Sequence, residues 1–283
     1  MSRQPEIVRS RAALAGILSD WRLAGETHAL IPTMGALHEG HLALVRLARE
    51  HCTRVVVSIF VNPAQFAPSE DLARYPRDEA GDLAKLATAG CDLVWAPDAA
   101  GMYPPGFATR IVPEGAALGL ESDFRPHFFS GVATVCCKLF TQVAPKVAVF
   151  GEKDFQQLCV VRQVARDLDL PLAIIGAPTL REPDGLAMSS RNRYLSAGER
   201  TTAPLLQAVL TRTAQGIQGS GEIATECAKG ADELNRGGFK VDYLAVRDAE
   251  TFAPARVGRP LRILAAAWLG KTRLIDNLPI PPR

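Results

Sequence analysis

Residues 29–50 read ALIPTMGALHEGHLALVRLARE, and the fold turns on how this stretch divides. Ala29 to Pro32 is a short apolar run of strand length, and from His41 onward Leu44, Leu47 and Ala48 recur at helical spacing. A strand should therefore feed a helix through the glycine-bearing turn between them. The rhythm continues in Val55 to Val61, Asp92 to Ala96, Val147 to Phe150 and Leu172 to Gly176, all of which read as strands. GVATVCCKLFTQV from Gly131 puts Val132, Val135, Cys136 and Leu139 on one helical face. Strands alternating with crossover helices predict an α/β domain with a parallel sheet over residues 1–179.

The pattern changes after Pro178, where TLREPDGLAMSSRNRYLS supplies Pro, Gly, Ser and Asn instead of periodic apolar residues. A domain junction or functional loop is expected there. Ser196-Ala197-Gly198-Glu199 then has capping-box spacing, which predicts a long helix to follow. A helical pattern from Ile223 to Leu234 precedes two strand-like runs, VDYLAVRD from Val241 and LRILAAAWLG from Leu261. Residues 180–283 thus read as a smaller α+β domain, and no repeat of fixed period runs through the chain.

Composition narrows the function. The 283 residues are 47% hydrophobic and 22% charged, enough for one large core or two linked ones. Lys and Arg number 32 against 30 Asp and Glu, a net charge of +2, so no long-range field gathers nucleic acid or an anionic membrane. No run approaches the roughly 20 apolar residues of a bilayer-spanning helix. The opening MSRQPEIVRS lacks the apolar core of a signal peptide, which points to the cytoplasm. The six cysteines form no C-x-x-C pair, which fits reduced core thiols.

Four polar segments carry the chemistry. In the first, Pro32-Thr33-Met34-Gly35-Ala36-Leu37-His38-Glu39-Gly40-His41 follows the first strand and opens the first helix. In open α/β sheets ligands bind beyond the carboxyl ends of strands, and a helix N-terminus there offers free N–H groups to phosphate. His38 and His41 could donate to phosphate oxygens. Alternatively they are a zinc pair, which has no third ligand nearby, or incidental surface histidines.

The second is Phe150-Gly151-Glu152-Lys153-Asp154-Phe155-Gln156-Gln157, again at a strand end and a helix start, where Lys153 could face a triphosphate and Asp154 its Mg²⁺. A capped helix with an exposed Lys-Asp pair reads the same. The third, Met188-Ser189-Ser190-Arg191-Asn192, offers two hydroxyls and a guanidinium on a loop, or simply a solvated turn. The fourth, Ser58 to Phe66, leaves a strand with Asn62 and Gln65 as neutral groups suited to a hydroxy acid or to a polar turn; Tyr75-Pro76-Arg77 follows.

Together PTMGALHEGH, VVVSIFVNPAQF, EDLARYPR, FGEKDFQQL, DGLAMSSRN and AAWLG resemble the pantothenate synthetase (pantoate–β-alanine ligase) family over nearly the whole chain. The resemblance implies a Rossmann-like ATP- and pantoate-binding domain, a mobile loop at Met188 to Asn192, a homodimer, and ATP with Mg²⁺. It also implies a reaction: pantoate attacks the α-phosphate of ATP, and β-alanine then attacks the pantoyl-adenylate. His41, His38 and Lys153 would be catalytic. Met34 to His41, Gly151 to Asp154, Leu180 and Met188 to Arg191 would line the ATP site. Gln65, Gln157 and Asn62 would bind pantoate, with Gln65 also facing β-alanine. Asp82 joins Asp154 as a candidate metal contact, although a helix-surface Asp looks the same in sequence.

One departure is local. Where the family reads R-P, one residue, then H-F, this chain reads Arg125-Pro126-His127-Phe128-Phe129, so Phe128 stands where a histidine is usual. The rival readings are another adenylyltransferase of the same superfamily, acting on a phosphorylated acceptor, and a nucleotide-sensing module without catalysis. A phosphate acceptor would want Arg or Lys in place of Gln65 and Gln157. Intact His38, His41, Lys153, Ser189 and Arg191 oppose the second.

Overall fold

The computed structural model describes residues 4–66, 72, 75–220, 222–256 and 258–281. Parts of the EDLARYPR segment, Glu70, Asp71, Ala73 and Arg74, lie outside the described residues. The chain divides into two compact units. One comprises Met1–Glu114, Arg125–Glu152 and Val160–Pro178, and the other Gly115–Phe124, Lys153–Cys159 and Thr179–Arg283.

The first unit is built on six parallel strands, β1 (Glu6–Val8), β2 (His28–Thr33), β3 (Arg54–Ile59), β4 (Leu93–Trp95), β5 (Val147–Gly151) and β6 (Ala173–Ala177), in the order β1-β4-β3-β2-β5-β6. The Rossmann-like expectation describes this sheet. Its crossovers include α1 (Arg11–Leu23), α2 (Glu39–His51), α3 (Glu79–Ala89), a short α4 (Ala99–Met102) and α6 (Phe128–Val143). Helix α7 (Phe155–Asp167) leads from β5 to β6, and a single turn, α5 (Glu121–Phe124), belongs to the other unit.

Strands β2, β3 and β5 are near-continuous β-branched and aliphatic runs because both faces are covered. Their side chains pack with Leu42, Leu44, Val45 and Ala48 of α2 into one core. Each aliphatic side chain buried this way contributes about 1.5–3 kcal/mol. The chain moves outward from β2 through β3 to one side and from β5 through β6 to the other. The switch point of the sheet therefore falls between β2 and β5, which pair in parallel through Ala29 and Val147. Their carboxyl ends lead into Met34–His38 on one strand and Glu152 on the next.

The second unit holds an antiparallel sheet, β7 (Phe239–Asp248), β8 (Leu261–Leu269) and β9 (Thr272–Ile280), covered by α9 (Leu205–Ser220) and α10 (Ile223–Arg236). The long helix expected after Ser196 is in fact two. The capping box forms as read, with Ser196 and Glu199 bonding reciprocally, but α8 (Ala197–Thr202) stops short of Pro204. Proline has no N–H to continue the ladder, and its ring crowds the preceding turn, so α9 starts anew beyond it. Strand β9 was not anticipated; TRLIDNLPI mixes charged and apolar residues, and its burial is decided by β8 beside it.

Among the described residues no helix is long and apolar enough to cross a membrane. All six cysteines are free thiols; Cys137 and Cys227 are partly exposed and the other four buried.

Candidate functional site

The turn after β2 is unusual backbone held by a side chain from elsewhere. Gly35 and Ala36 are consecutive left-handed residues, at φ 81° and 53°. Such a pair points successive N–H groups into one concavity, an arrangement that takes an anion. Here the anion is internal. Asp82 of α3, 1% exposed, accepts Ala36 N through Oδ2 at 2.8 Å and Leu37 N through Oδ1 at 2.7 Å. Lys85, one turn on, donates to Leu37 O at 2.8 Å. Burial holds the Asp82 carboxyl above its ordinary range, opposed by the two N–H donors and Lys85. The Asp82 carboxylate, expected as a metal contact, is bonded to the backbone and buried beneath the turn.

The turn delivers the chain to α2 with His38 as N-cap. His38 Nδ1 accepts from Gly40 N at 3.1 Å, and His41 Nδ1 accepts from His38 N at 3.3 Å, a capping box made of two imidazoles. A ring nitrogen that accepts cannot carry the proton, so each neutral ring is protonated on Nε2 and donates from there. The ring centroids lie 4.1 Å apart. The N-terminus of α2 thus offers two imidazole donors together with the positive end of the helix dipole. Met34 is partly exposed, Leu37 buried, and Glu39, at the first turn, pairs with Arg46.

The turn after β3 presents Gln65 in the same unit. Asn62 Nδ2 donates to Gln65 Oε1 at 2.8 Å and to Gly131 O at 3.2 Å, while Asn62 Oδ1 accepts from Ala64 N and from Tyr103 Oη at 2.8 Å. Two donors and two acceptor sites are all Asn62 has. It is 1% exposed and bonded to Gln65, so beside the substrate contact expected of it Asn62 has a structural role, orienting Gln65. With Oε1 engaged, the Gln65 amide nitrogen is the end of the side chain that has no partner among the described residues. Burial pushes the Tyr103 hydroxyl up to about 12, which keeps it a donor to Asn62. Gly131 of α6 touches this turn closely, since a Cβ there would stand 2.3 Å from Ala64 O.

The departure at Phe128 falls beside the same turn. The Arg125 guanidinium carbon lies 3.9 Å above the Phe128 ring, and Arg125 Nη2 donates to Gln65 O at 3.1 Å. His127, one place early, sits at the N-cap of α6 without a side-chain cap bond.

In the second unit Lys153 occupies a 3₁₀ turn, Glu152–Asp154, its ammonium 4.0 Å from Asp154 Oδ2. Its side chain is 16% exposed and that of Asp154 is 44% exposed. Two adjacent glutamines then part company. Gln156 is buried and clamps the segment before α5, donating to Ala116 O and Gly119 O and accepting from Glu121 N, each at 3.1 Å. Gln157 is half-buried, and its amide has no partner among the described residues.

The Met188 loop closes a small hairpin in which Met188 N donates to Leu180 O at 3.0 Å and Arg181 bridges Ala187. Ser189 caps the 3₁₀ turn Ser190–Tyr194 by accepting from Arg191 N at 3.2 Å. Ser190 and Arg191 are partly exposed, and Leu180 is exposed. Gly151 ends β5 with nothing near where a Cβ would stand. Among the described residues no three His, Cys, Asp or Glu side chains gather as a metal would need.

The paired imidazoles at the start of α2 stand at the switch point of the parallel sheet, where open α/β folds bind their ligands. The family model described as pantoate-beta-alanine ligase matches residues 6–279. Pantothenate synthetase of Mesorhizobium japonicum is 57% identical over 282 residues, covering 99% of each chain. The crystal structure of pantothenate synthetase from Thermus thermophilus superposes with a TM-score of 0.90 at 45% identity, covering 98% of this chain and 100% of that one. The pantoate-beta-alanine ligase of Francisella tularensis, solved with beta-gamma ATP and beta-alanine, gives 0.82 at 32% identity over 97% of both. The chain belongs to the pantoate–β-alanine ligase family, and it is an enzyme.

Proposed function

We propose that the chain condenses (R)-pantoate with β-alanine through a pantoyl-adenylate, consuming ATP and releasing AMP and pyrophosphate. The observation that carries this reading is the imidazole pair at the start of α2, each ring held through Nδ1 so that Nε2–H is the donor. Negative charge grows on the α-phosphate and on departing pyrophosphate as the pantoate carboxylate attacks. Fixed donors aimed at that charge stabilise the transition state more than the ground state.

Lys153 supplies a point charge to the same phosphates, and Ser189, Ser190 and Arg191 further donors on a loop. Gln65 and Gln157 grip the hydroxyls and carboxylate of pantoate without a cation that would compete for the attacking oxygen. The amine of β-alanine then displaces AMP. The ATP complex of the Francisella relative supports ATP as substrate.

Mg²⁺ fits Asp154, a half-exposed carboxylate, and does not fit Asp82. One carboxylate suffices, because Mg²⁺ at nucleotide sites is held mainly by phosphates and water. When bound, it would neutralise charge on the triphosphate. Residues 1–179 and 180–283 as functional domains, a homodimer and a cytoplasmic location complete the reading. Its test is ATP–pyrophosphate exchange with pantoate present and β-alanine absent. Exchange is expected; exchange that appears only on adding β-alanine would overturn the two-step mechanism.

A further inference from the structure

Asn277 of β9 is 2% exposed, and its Nδ2 donates to the backbone carbonyl of Lys153, 124 residues earlier in the chain, at 2.8 Å. Its Oδ1 accepts from Arg262 Nε at 2.6 Å, and the Arg262 guanidinium lies 4.3 Å above the ring of Phe155. One buried amide thus reaches the Lys153 turn directly and, through Arg262, the start of α7. The neighbouring Asp276 grips Arg181 bidentately, at 2.7 and 2.9 Å, and accepts Asn277 N at 2.7 Å, so the strand is braced where Asn277 stands.

We propose that Asn277 is a positioning residue for adenylate formation, acting through Lys153. The inference rests on the phosphate-facing role of Lys153 proposed above. A 3₁₀ turn of three residues has little cohesion of its own. Its carbonyls must be satisfied from outside or by water, and the direction of the Lys153 side chain follows from the backbone that carries it. Asn277 sets that backbone. A displacement of about 1 Å at a reacting group costs up to about a hundredfold in rate, so a hydrogen bond to a main-chain atom here has a catalytic consequence that general stability does not.

Asn277→Asp separates the two contacts, because it keeps an acceptor for Arg262 and turns the donor facing Lys153 into a second acceptor. Single-turnover adenylate formation from ATP and pantoate is expected to fall about tenfold or more at saturating ATP, with a melting transition still above the assay temperature. In a Lys153→Ala background the same substitution should change the rate by less than about twofold, because the group it positions is gone. No loss in the otherwise native enzyme, or an equal loss in both backgrounds, overturns the proposal. Full activity of Lys153→Ala alone instead removes the reading of Lys153, and the inference with it. Should Asn277→Asp fail to fold, Asn277→Ala is carried through the same cycle under the same criterion.

Discussion

The two loops expected to meet phosphate are held by different means. Met34–His41 is braced from outside itself: Asp82 and Lys85 of α3 take the N–H of Ala36, the N–H of Leu37 and the carbonyl of Leu37. Met188–Asn192 is held mostly by its own residues, with Ser189 capping the turn and Asn192 donating to Ala187 O at 3.1 Å. The first loop therefore cannot rearrange without breaking buried bonds in a packed core. The second can open at the cost of local caps. In the function proposed above, a rigid donor set and a self-capped segment would be different tools for one reaction, with preorganisation placed where charge develops.

The largest expected effect falls on the braced loop. Asp82→Ala strands two buried N–H groups in left-handed backbone, at about 1–3 kcal/mol each. Denaturant unfolding should record a loss of about 3 kcal/mol, and adenylate formation by the folded fraction should drop as well. A fall in neither would show that the turn holds without its carboxylate. Next comes Gly131→Ala, which forces α6 away from the Ala64 carbonyl and so moves the turn bearing Gln65. Overpacking of this kind costs about 1–3 kcal/mol, and pantoate affinity measured by calorimetry should weaken while ATP affinity holds.

On the self-capped loop, Ser189→Ala should cost about 1 kcal/mol. The loss should appear as faster amide exchange concentrated in residues 188–194, with global stability falling by no more than that amount. A global loss as large as that of Asp82→Ala would mean the two loops are not held differently after all.

The smallest effect is a pH dependence away from both loops. His28 is buried, its Nε2 lies 2.8 Å from Val143 O, and burial lowers its pKa from 6.5. The unfolded chain takes a proton that the folded site resists, so its contribution to stability is complete above about pH 6.5 and is lost as pH falls below it. In His28→Leu the slope of stability against pH between 7 and 5 should flatten; an unchanged slope assigns the dependence to other groups.

Much of this was legible in the residues, for reasons that can be named. Both faces of β2, β3 and β5 are buried, so their apolar runs announce themselves; helix α2 follows a glycine turn with a periodic face. The motif segments located the imidazole pair and Lys153. What sequence could not separate were residues whose role depends on distant partners. Asp82 and Asn62 looked like ligands because they are polar and near the motifs, yet Asp82 is buried with a backbone N–H on each oxygen and the hydrogen-bonding capacity of Asn62 is filled, all within the first unit. Gln156 and Gln157 are identical letters side by side, and only the turn of α7 sends one inward to a buried clamp and leaves the other's amide without a partner among the described residues.

Sequence by itself determined the alternating architecture, the family and the chemical types present, because those follow from periodicity and from residues close together in the chain. Tertiary structure alone decided which polar side chains remain available. That outcome depends on bonds spanning 46 residues to Asp82 and 124 to Asn277, and a buried polar group spends its capacity on whatever the fold brings beside it.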